Sequence, residues 1–190
     1  MISSLAAIKI VDHAIKGGKY EICGYITGFV KDRTFYVLDA IELPIVGTDS
    51  RVEVAGAMGD QTHINVFNTL ELYEKVGRPQ KLVGWYHSHP GLECWLSGID
   101  VRTQKLFQMT NKTFFALVVD PWKTLSNRRI EMGCYFCFQK DKGSDYVPDV
   151  SDIPLKKANV YYSNYRISEV THIVTTQCLT VSFKVNLRRK

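Results

Sequence analysis

The sequence predicts a single-domain α/β (α+β) fold in which helices and strands are mixed along the chain. First, 190 residues with 45% hydrophobic content are enough for one well-buried core and too few to require two. Second, segments typical of strands are interspersed with three segments whose apolar residues recur at helical spacing. Mixed elements of this kind pack in layers around a common core. We therefore take residues 1–190 as one domain.

The first predicted elements are a helix and a pair of strands. Ser3 or Ser4 can cap the helix, and Gly17-Gly18 can end it. Its apolar residues recur at helical spacing: Leu5, Ile8, Val11 and Ile15. Residues 20–28 and 34–43 then have the character of two strands paired as a hairpin. The first begins with an acid, Glu21, which the residues alone indicate to be a solvated edge residue.

An irregular stretch and a second helix follow the hairpin. The stretch covers residues 44–59, and the helix runs from about Gln61 until Gly77 and Pro79 stop it. One face of this helix is marked by apolar residues at helical spacing: Ile64, Phe67, Leu70 and Tyr73.

The middle of the chain predicts a buried strand, a third helix and two more strands. Residues 82–86 are apolar and aromatic, and residues 97–111 form the helix. The residues of this helix that we expect to face inward are Ile99, Leu106 and Phe107. Solid strands follow at 113–119 and 130–138.

The end of the chain predicts a polar loop and two late strands. Residues 139–154 are rich in Asp, Lys, Gly and Pro and form the loop, and residues 160–167 and 179–185 form the strands. Cys134 and Cys137 have the spacing of a redox or zinc pair. Because alternation along a strand points them to opposite faces, we interpret them as two half-buried cysteines.

Composition limits the partners and the compartment. A net charge of +5, from 24 basic and 19 acidic residues, comes without a basic run except at 188–190, so nucleic acid is not required and a partner with an acidic face fits as well. No window approaches the roughly 18 apolar residues of a membrane span, and no signal peptide is evident. Five scattered cysteines suggest no disulfide framework. We expect a reducing compartment, the cytoplasm or the nucleus.

One stretch carries the strongest chemical pattern. The apolar residues 82–86 lead into His87 and His89, whose side chains point to the same side of the strand because side chains alternate. Ser97 then opens a helix with Asp100 one turn inside it. Two imidazoles and one carboxylate that converge, with a fourth position left to water, are the arrangement of a catalytic zinc site.

Simpler interpretations of these residues exist. A His-x-His pair alone usually binds nothing, and Ser97-x-x-Asp100 is also a capping pattern in which both side chains satisfy free backbone amides. The complete string favours the metal site, because His-x-His, seven residues, Ser, two residues and Asp occur without a gap.

This string closely resembles the JAMM motif of the MPN-domain metallo-isopeptidases. The surrounding words GWYHSHPG and CWLSGIDV look like those of the deneddylating catalytic subunits of COP-type signalosomes, with proteasome-lid deubiquitinases second. The resemblance implies one zinc per chain, held by His87, His89 and Asp100. It also implies Glu21 as the general acid/base and Ser97 as a donor to the carbonyl oxygen that becomes negative.

The resemblance also implies the MPN fold, a curved mixed sheet packed by about three helices. Residues 44–59 and 139–154 look like the two inserts of that family. Asp49 and Glu53 of the first insert can be ordinary solvated acids, or they can approach the zinc in the free chain and withdraw when a partner or substrate reorders the loop. The resemblance further implies a partner, because active members of the family generally sit beside an inactive MPN subunit in a large complex.

The function implied is zinc-dependent hydrolysis of the bond between a ubiquitin-like modifier and a substrate lysine, above all on cullins. An MPN scaffold that mainly binds partners and an unrelated zinc hydrolase are the alternatives, and neither nucleic acid nor membrane is expected as a partner. Two residues depart from the family words: Leu92 replaces an aromatic residue and Glu93 a glycine. A left-handed Glu93 costs about 1–2 kcal/mol. Its carboxylate can also repel an acidic substrate or compete for the metal.

Overall fold

A computed structural model describes residues 1–31, 34–46 and 60–137, and the backbone of four later strands. The predicted insert at 139–154 lies outside these residues. So does the insert at 44–59, apart from its first residues, which end a strand. Asp49 and Glu53 therefore lie outside the described residues.

Four helices and nine strands are described. The helices are α1 (Ser4–Gly17), α2 (Asp60–Lys75), α3 (Gly98–Thr110) and α4 (Pro121–Asn127). The first five strands are β1 (Ile22–Lys31), β2 (Thr34–Val46), β3 (Lys81–Ser88), β4 (Phe115–Val119) and β5 (Arg129–Cys137). The last four are β6 (Tyr161–Tyr162), β7 (Tyr165–Arg166), β8 (Val170–Thr175) and β9 (Cys178–Asn186).

Seven of these strands form one mixed sheet in the order β2-β1-β3-β4-β5-β9-β8. Every neighbouring pair is antiparallel except β3 and β4, which are parallel and joined through α3. A parallel pair needs such a crossover, because its connection must return to the same end of the sheet. The strand that carries the histidines therefore lies inside the sheet, between β1 and β4. The α+β fold is confirmed.

Hydrophobic clusters cover both faces of this sheet. On one face α1 packs through Ile10 and its alanines against strand residues such as Leu117. On the other, Trp85 and Val118 pack with Val66 of α2 and Phe107 of α3. Because side chains alternate along β3, the histidines share the face of Trp85, beneath α3.

The apolar residues that recur at helical spacing in α1 are not the ones that it buries. The helix buries Ala6, Ala7, Ile10 and Ala14, whereas Leu5, Ile15 and above all Ile8, 63% exposed, point outward. Helical spacing fits more than one stripe of this apolar sequence. The stripe with the small residues faces the sheet, since alanine lets the helix axis come closer to the strands. The predicted end is confirmed: Gly18 follows the helix with a φ of 62°.

Helices α2 and α3 also differ in part from the prediction in which residues they bury. In α2, Val66 is buried and Leu70 of the predicted face packs against the same cluster, while Ile64 and Phe67 are exposed. In α3, Phe107 packs against the core as expected, but Leu106 is exposed. The residues of α3 that are fully buried are polar: Asp100, Thr103 and Gln104. Apolar periodicity cannot identify such residues.

Three further differences concern the second half of the chain. Helix α4 and strand β8 are additional elements that the sequence did not reveal. Residues 160–167, predicted as one strand, contain the two short paired strands β6 and β7.

No helix among the described residues is long and apolar enough to cross a membrane.

The two cysteines of β5 lie on opposite faces, as predicted. Cys134 belongs to the cluster on the α1 side, whereas the Cys137 thiol lies against the Val101 carbonyl of α3. Both are buried rather than half-buried, because β5 is paired on both sides and covered by helices on both faces. They therefore do not form a shared metal or redox pair.

Candidate metal centre

Strand β3 brings both histidines to the end of the central sheet. Its last residues pair with β1 on one side and β4 on the other, and the His89 amide continues this pattern by donating to the Val119 carbonyl at 2.9 Å. Both imidazoles are buried. Their Nε2 atoms face each other at 3.1 Å. The prediction that the two rings point to the same side is confirmed.

Asp100 reaches this point from the first turn of α3. The Ser97 hydroxyl accepts the Asp100 amide at 3.2 Å, and Asp100 Oδ2 accepts the Ser97 amide at 2.7 Å. This is a complete capping box. The capping interpretation and the metal interpretation are therefore compatible, since the cap fixes the carboxylate that faces the histidines.

The three side chains converge on one point. Asp100 Oδ2 lies 3.4 Å from His87 Nε2 and 3.5 Å from His89 Nε2. Ligand atoms bound about 2.0–2.2 Å from a tetrahedral zinc lie about 3.3–3.6 Å from one another. The two separations from Asp100 fall within this range, and the 3.1 Å between the two Nε2 atoms lies slightly below it. Two nitrogens with one oxygen are a donor set that zinc accepts.

The electrostatics of these groups suit a cation. Burial lowers the pKa of His87, which Asp100 offsets only in part, so His87 is held as the neutral imidazole that binds metals. Burial acts to raise the pKa of Asp100, but its hydrogen bonds with His87 and His89 outweigh this and hold the pKa well below its usual range. An ionised carboxylate and a neutral ring meet where a positive charge would satisfy both.

Glu21 lies beside this cluster. It directly precedes β1, is buried, and places Oε1 3.7 Å from His89 Nε2. The interpretation as a solvated edge residue is wrong, because β1 is an inner strand with β2 and β3 on its two sides. The next amide, that of Ile22, donates to the Ser88 hydroxyl at 3.0 Å. This bond joins the start of β1 to the end of β3.

The turn after His89 is anchored by a residue that the sequence did not single out, Asp120. Its buried carboxylate accepts the amides of Gly91 at 3.1 Å and Glu93 at 3.0 Å. It also accepts the first amides of α4, those of Trp122 and Lys123, each at 3.0 Å. An aspartate followed by proline is a helix-start signal, and it could have revealed both α4 and this anchor.

Glu93 itself turns away from the ligands. Its backbone is left-handed, with a φ of 68°, as expected for a position where glycine is usual. Its carboxylate pairs with the Lys123 ammonium on α4. The competing-ligand interpretation is therefore wrong for the described arrangement. Leu92, the other departure, is exposed.

A mixed sheet with this cluster of two histidines and one aspartate at the end of its inner strands is the arrangement of an MPN domain that carries a JAMM motif. The chain belongs to the JAB1/Mov34/MPN/PAD-1 ubiquitin protease family, whose model matches residues 1–113. The resemblance seen in the sequence is thereby confirmed.

Curated relatives are found in fungi, insects and plants. COP9 signalosome complex subunit 5 of Emericella nidulans is 38% identical over 177 residues, which cover 90% of this chain and 51% of the relative. The Drosophila melanogaster protein of the same name is 41% identical over 162 residues, covering 82% and 47%. Subunit 5a of Arabidopsis thaliana is 39% identical over 176 residues, covering 90% and 48%. The chain thus spans about half the length of the relatives that it matches.

Proposed function

We propose that this chain is a zinc-dependent isopeptidase that releases a ubiquitin-like modifier from a substrate lysine. The observation that carries the proposal is the convergence of His87 Nε2, His89 Nε2 and Asp100 Oδ2 within 3.5 Å of one another, with the Glu21 carboxylate beside them. These three atoms would hold one zinc ion. When bound there, zinc supplies Lewis acidity that makes a water nucleophile available near neutral pH.

Glu21 is the proton carrier in this proposal. Its buried carboxylate lies close enough to the ligands to take a proton from the attacking water and to deliver it to the departing lysine amine. A carboxylate held by a strand end is positioned before substrate arrives. Acid-base groups of this kind contribute about 10²- to 10⁴-fold to rate.

Ser97 is the proposed donor to the carbonyl oxygen as negative charge develops on it. Accepting the Asp100 amide uses an oxygen lone pair and fixes the hydroxyl beside the carboxylate ligand, while the hydroxyl hydrogen remains a donor. Loss of one such donor costs about a hundredfold or more.

For the substrate and the assembly, we propose the deneddylation of cullins, beside a partner MPN subunit in a multi-subunit complex. The proposal is supported by the motif words of the sequence and by the relatives named above, which are subunits of the COP9 signalosome complex. The four described cysteines are free, which supports the cytoplasm and nucleus as its compartments. A proteasome-lid type of deubiquitinase has the same chemistry on a different modifier.

The test is a cleavage panel with wild-type chain and His89→Ala, each with and without a candidate MPN partner. The substrates are cullin-modifier conjugates and ubiquitin chains. Release of the cullin modifier by wild type but not by His89→Ala supports the proposal. Release of ubiquitin but not of the cullin modifier would assign the chain to the deubiquitinases. Zinc in wild type without cleavage of either conjugate, even with partner, would indicate a scaffold or another zinc hydrolase. Equal zinc in His89→Ala, measured on chelator-washed protein, would refute the metal centre.

Regulation by the first insert belongs to the same proposal. The hypothesis is that Asp49, or alternatively Glu53, would approach the zinc in the free chain and withdraw when a partner or substrate reorders the insert. Asp49→Ala should then raise hydrolysis by the free chain severalfold at constant zinc content. Unchanged or lower rates in both Asp49→Ala and Glu53→Ala would favour the interpretation as solvated loop acids.

A further inference from the structure

Helix α3 and strand β3 face each other through two matched pairs of buried side chains. Asp100 meets His87, and one helical turn further Gln104 Oε1 accepts the Trp85 indole N–H at 2.8 Å. The spacings agree, because residues four apart on a helix are separated by about 6 Å and residues two apart on a strand by about 6.6 Å. The second pair therefore fixes how far α3 can slide along β3.

Trp85 in turn holds the His87 ring. The two rings are stacked, with centroids 4.6 Å apart and planes 15° apart, and His89 meets the His87 ring edge-on at 4.8 Å. Metal-ligating histidines usually owe their orientation to a hydrogen bond from the second ring nitrogen. Here the Nδ1 atoms of His87 and His89 have no such partner among the described residues. Stacking on Trp85 takes over this role for His87.

The Gln104 amide is fixed in one orientation. Its Nε2 donates to the Phe114 carbonyl at 2.7 Å and to Gln108 Oε1 at 2.6 Å. Both partners are acceptors, so the amide oxygen must be the atom that faces the indole N–H. Gln108 is itself held by the backbone of Cys137, with two bonds of 2.8 Å. Gln104 and Trp85 are both fully buried, so water does not compete for their bond.

We propose that Gln104 is a positioning residue of the metal centre, which sets the plane of His87 through Trp85 and the place of Asp100 through the register of α3. The proposal rests on the zinc site described above and concerns how that site is held. Loss of an outer partner of a metal ligand typically costs about 10- to 100-fold in metal affinity. We expect an effect of this size from a residue that touches none of the three ligand atoms.

The test is a titration of metal-free protein with Co²⁺, followed by the visible absorption of the bound ion. Gln104→Met keeps the length of the side chain but removes both polar groups. Its Kd for Co²⁺ should rise about tenfold, and its absorption should change in shape as the ligand geometry relaxes. Trp85→Phe removes the indole N–H and should give a similar rise. The Kd of the double variant for Co²⁺ should be no higher than that of the single variant with the higher Kd, since both changes break the same hydrogen bond between Gln104 and Trp85.

The matched control is Gln80→Met, which removes a glutamine outside this network: Gln80 directly precedes β3, at the end away from the histidines, and accepts the Thr27 hydroxyl at 2.7 Å. It should keep the wild-type Kd and absorption for Co²⁺. An equal loss of affinity in Gln80→Met would reduce the effect to general loosening and overturn the proposal. So would a wild-type Kd and spectrum in folded Gln104→Met, or additive effects in the double variant. If His89→Ala binds Co²⁺ as wild type does, the proposed zinc site is wrong, and the role of Gln104 with it. If His89→Ala loses Co²⁺ binding while Gln104→Met keeps it, only the positioning role of Gln104 is wrong.

Discussion

The Ile22 amide donates a hydrogen bond to the Ser88 hydroxyl at 3.0 Å, inside the protein. Ile22 directly follows Glu21, and Ser88 stands between His87 and His89. Next to the last ladder pair of β1 and β3, Cys23 opposite His87, this bond helps to fix the distance between the proposed proton carrier and the proposed ligands. Because Ser88 points away from the histidines, it supports the site without contacting it.

Ser88→Ala should separate the positioning of Glu21 from the binding of the metal. The buried Ile22 amide loses its partner, so Glu21 is held less firmly beside the proposed ligands. We expect turnover to fall by roughly tenfold, which is about 1.4 kcal/mol of activation free energy. Zinc content should remain that of wild type, since no ligand changes. The measurement is kcat together with zinc per chain, and Ser126→Ala, at an exposed serine of α4, is the control. Full activity in Ser88→Ala would show that this bond does not position Glu21.

Glu21→Gln tests the proton carrier itself. The amide fills the same volume but cannot accept a proton at neutral pH, so turnover should fall by about 10²- to 10⁴-fold. Zinc content and the unfolding midpoint should stay near those of wild type, because Glu21 is not among the three converging ligands. Glu42→Gln, an exposed acid on β2, is the matched control. Substantial turnover in Glu21→Gln would remove this residue from the mechanism.

The cluster of proposed ligands could be predicted from sequence because its residues lie close together along the chain. His87, His89 and Asp100 fall within a single strand, turn and helix start, whose local geometry is enough to bring them together. Gln104 could not be found in this way, since it looks like any polar helix residue until β3 is packed beneath α3. The buried faces of the helices were missed for a related reason: apolar periodicity takes no account of alanine, or of a polar inward face.

Asp120 should contribute strongly to stability. Its carboxylate accepts four backbone amides, two in the turn after His89 and two at the start of α4. Asp120→Ala removes a helix cap, worth about 1 kcal/mol, and leaves the turn amides without their acceptor, at about 1–3 kcal/mol each. Because Gly91 and Glu93 are exposed, water can replace part of the lost bonding in the turn. We therefore expect the free energy of unfolding, measured in urea, to fall by about 2–5 kcal/mol, less than the full sum.

The control for Asp120 is Asp12→Ala, which removes an exposed acid paired with Lys16 on α1. It should change the free energy of unfolding by less than about 0.5 kcal/mol. Equal stability of the two variants would mean that the amides near Asp120 find other acceptors.

Glu93 stands where the family pattern has glycine, and its left-handed backbone gives a prediction specific to this chain. A non-glycine residue at a φ of 68° costs about 1–2 kcal/mol, while glycine makes the unfolded chain more flexible by about 0.4–1 kcal/mol. Glu93→Gly should therefore raise the free energy of unfolding by roughly 0.5–1 kcal/mol, provided that the lost pair with Lys123 matters little.

That condition can be measured directly. The Glu93–Lys123 pair is solvent-exposed, and exposed pairs contribute little because water and salt screen them. Lys123→Ala should therefore leave the urea midpoint nearly unchanged, and the double variant should be as stable as Glu93→Gly. If Glu93→Gly is less stable than wild type and Lys123→Ala loses as much, the ion pair outweighs the backbone strain. Glu93 would then stabilise the protein by joining the turn to α4, despite its unfavourable backbone conformation.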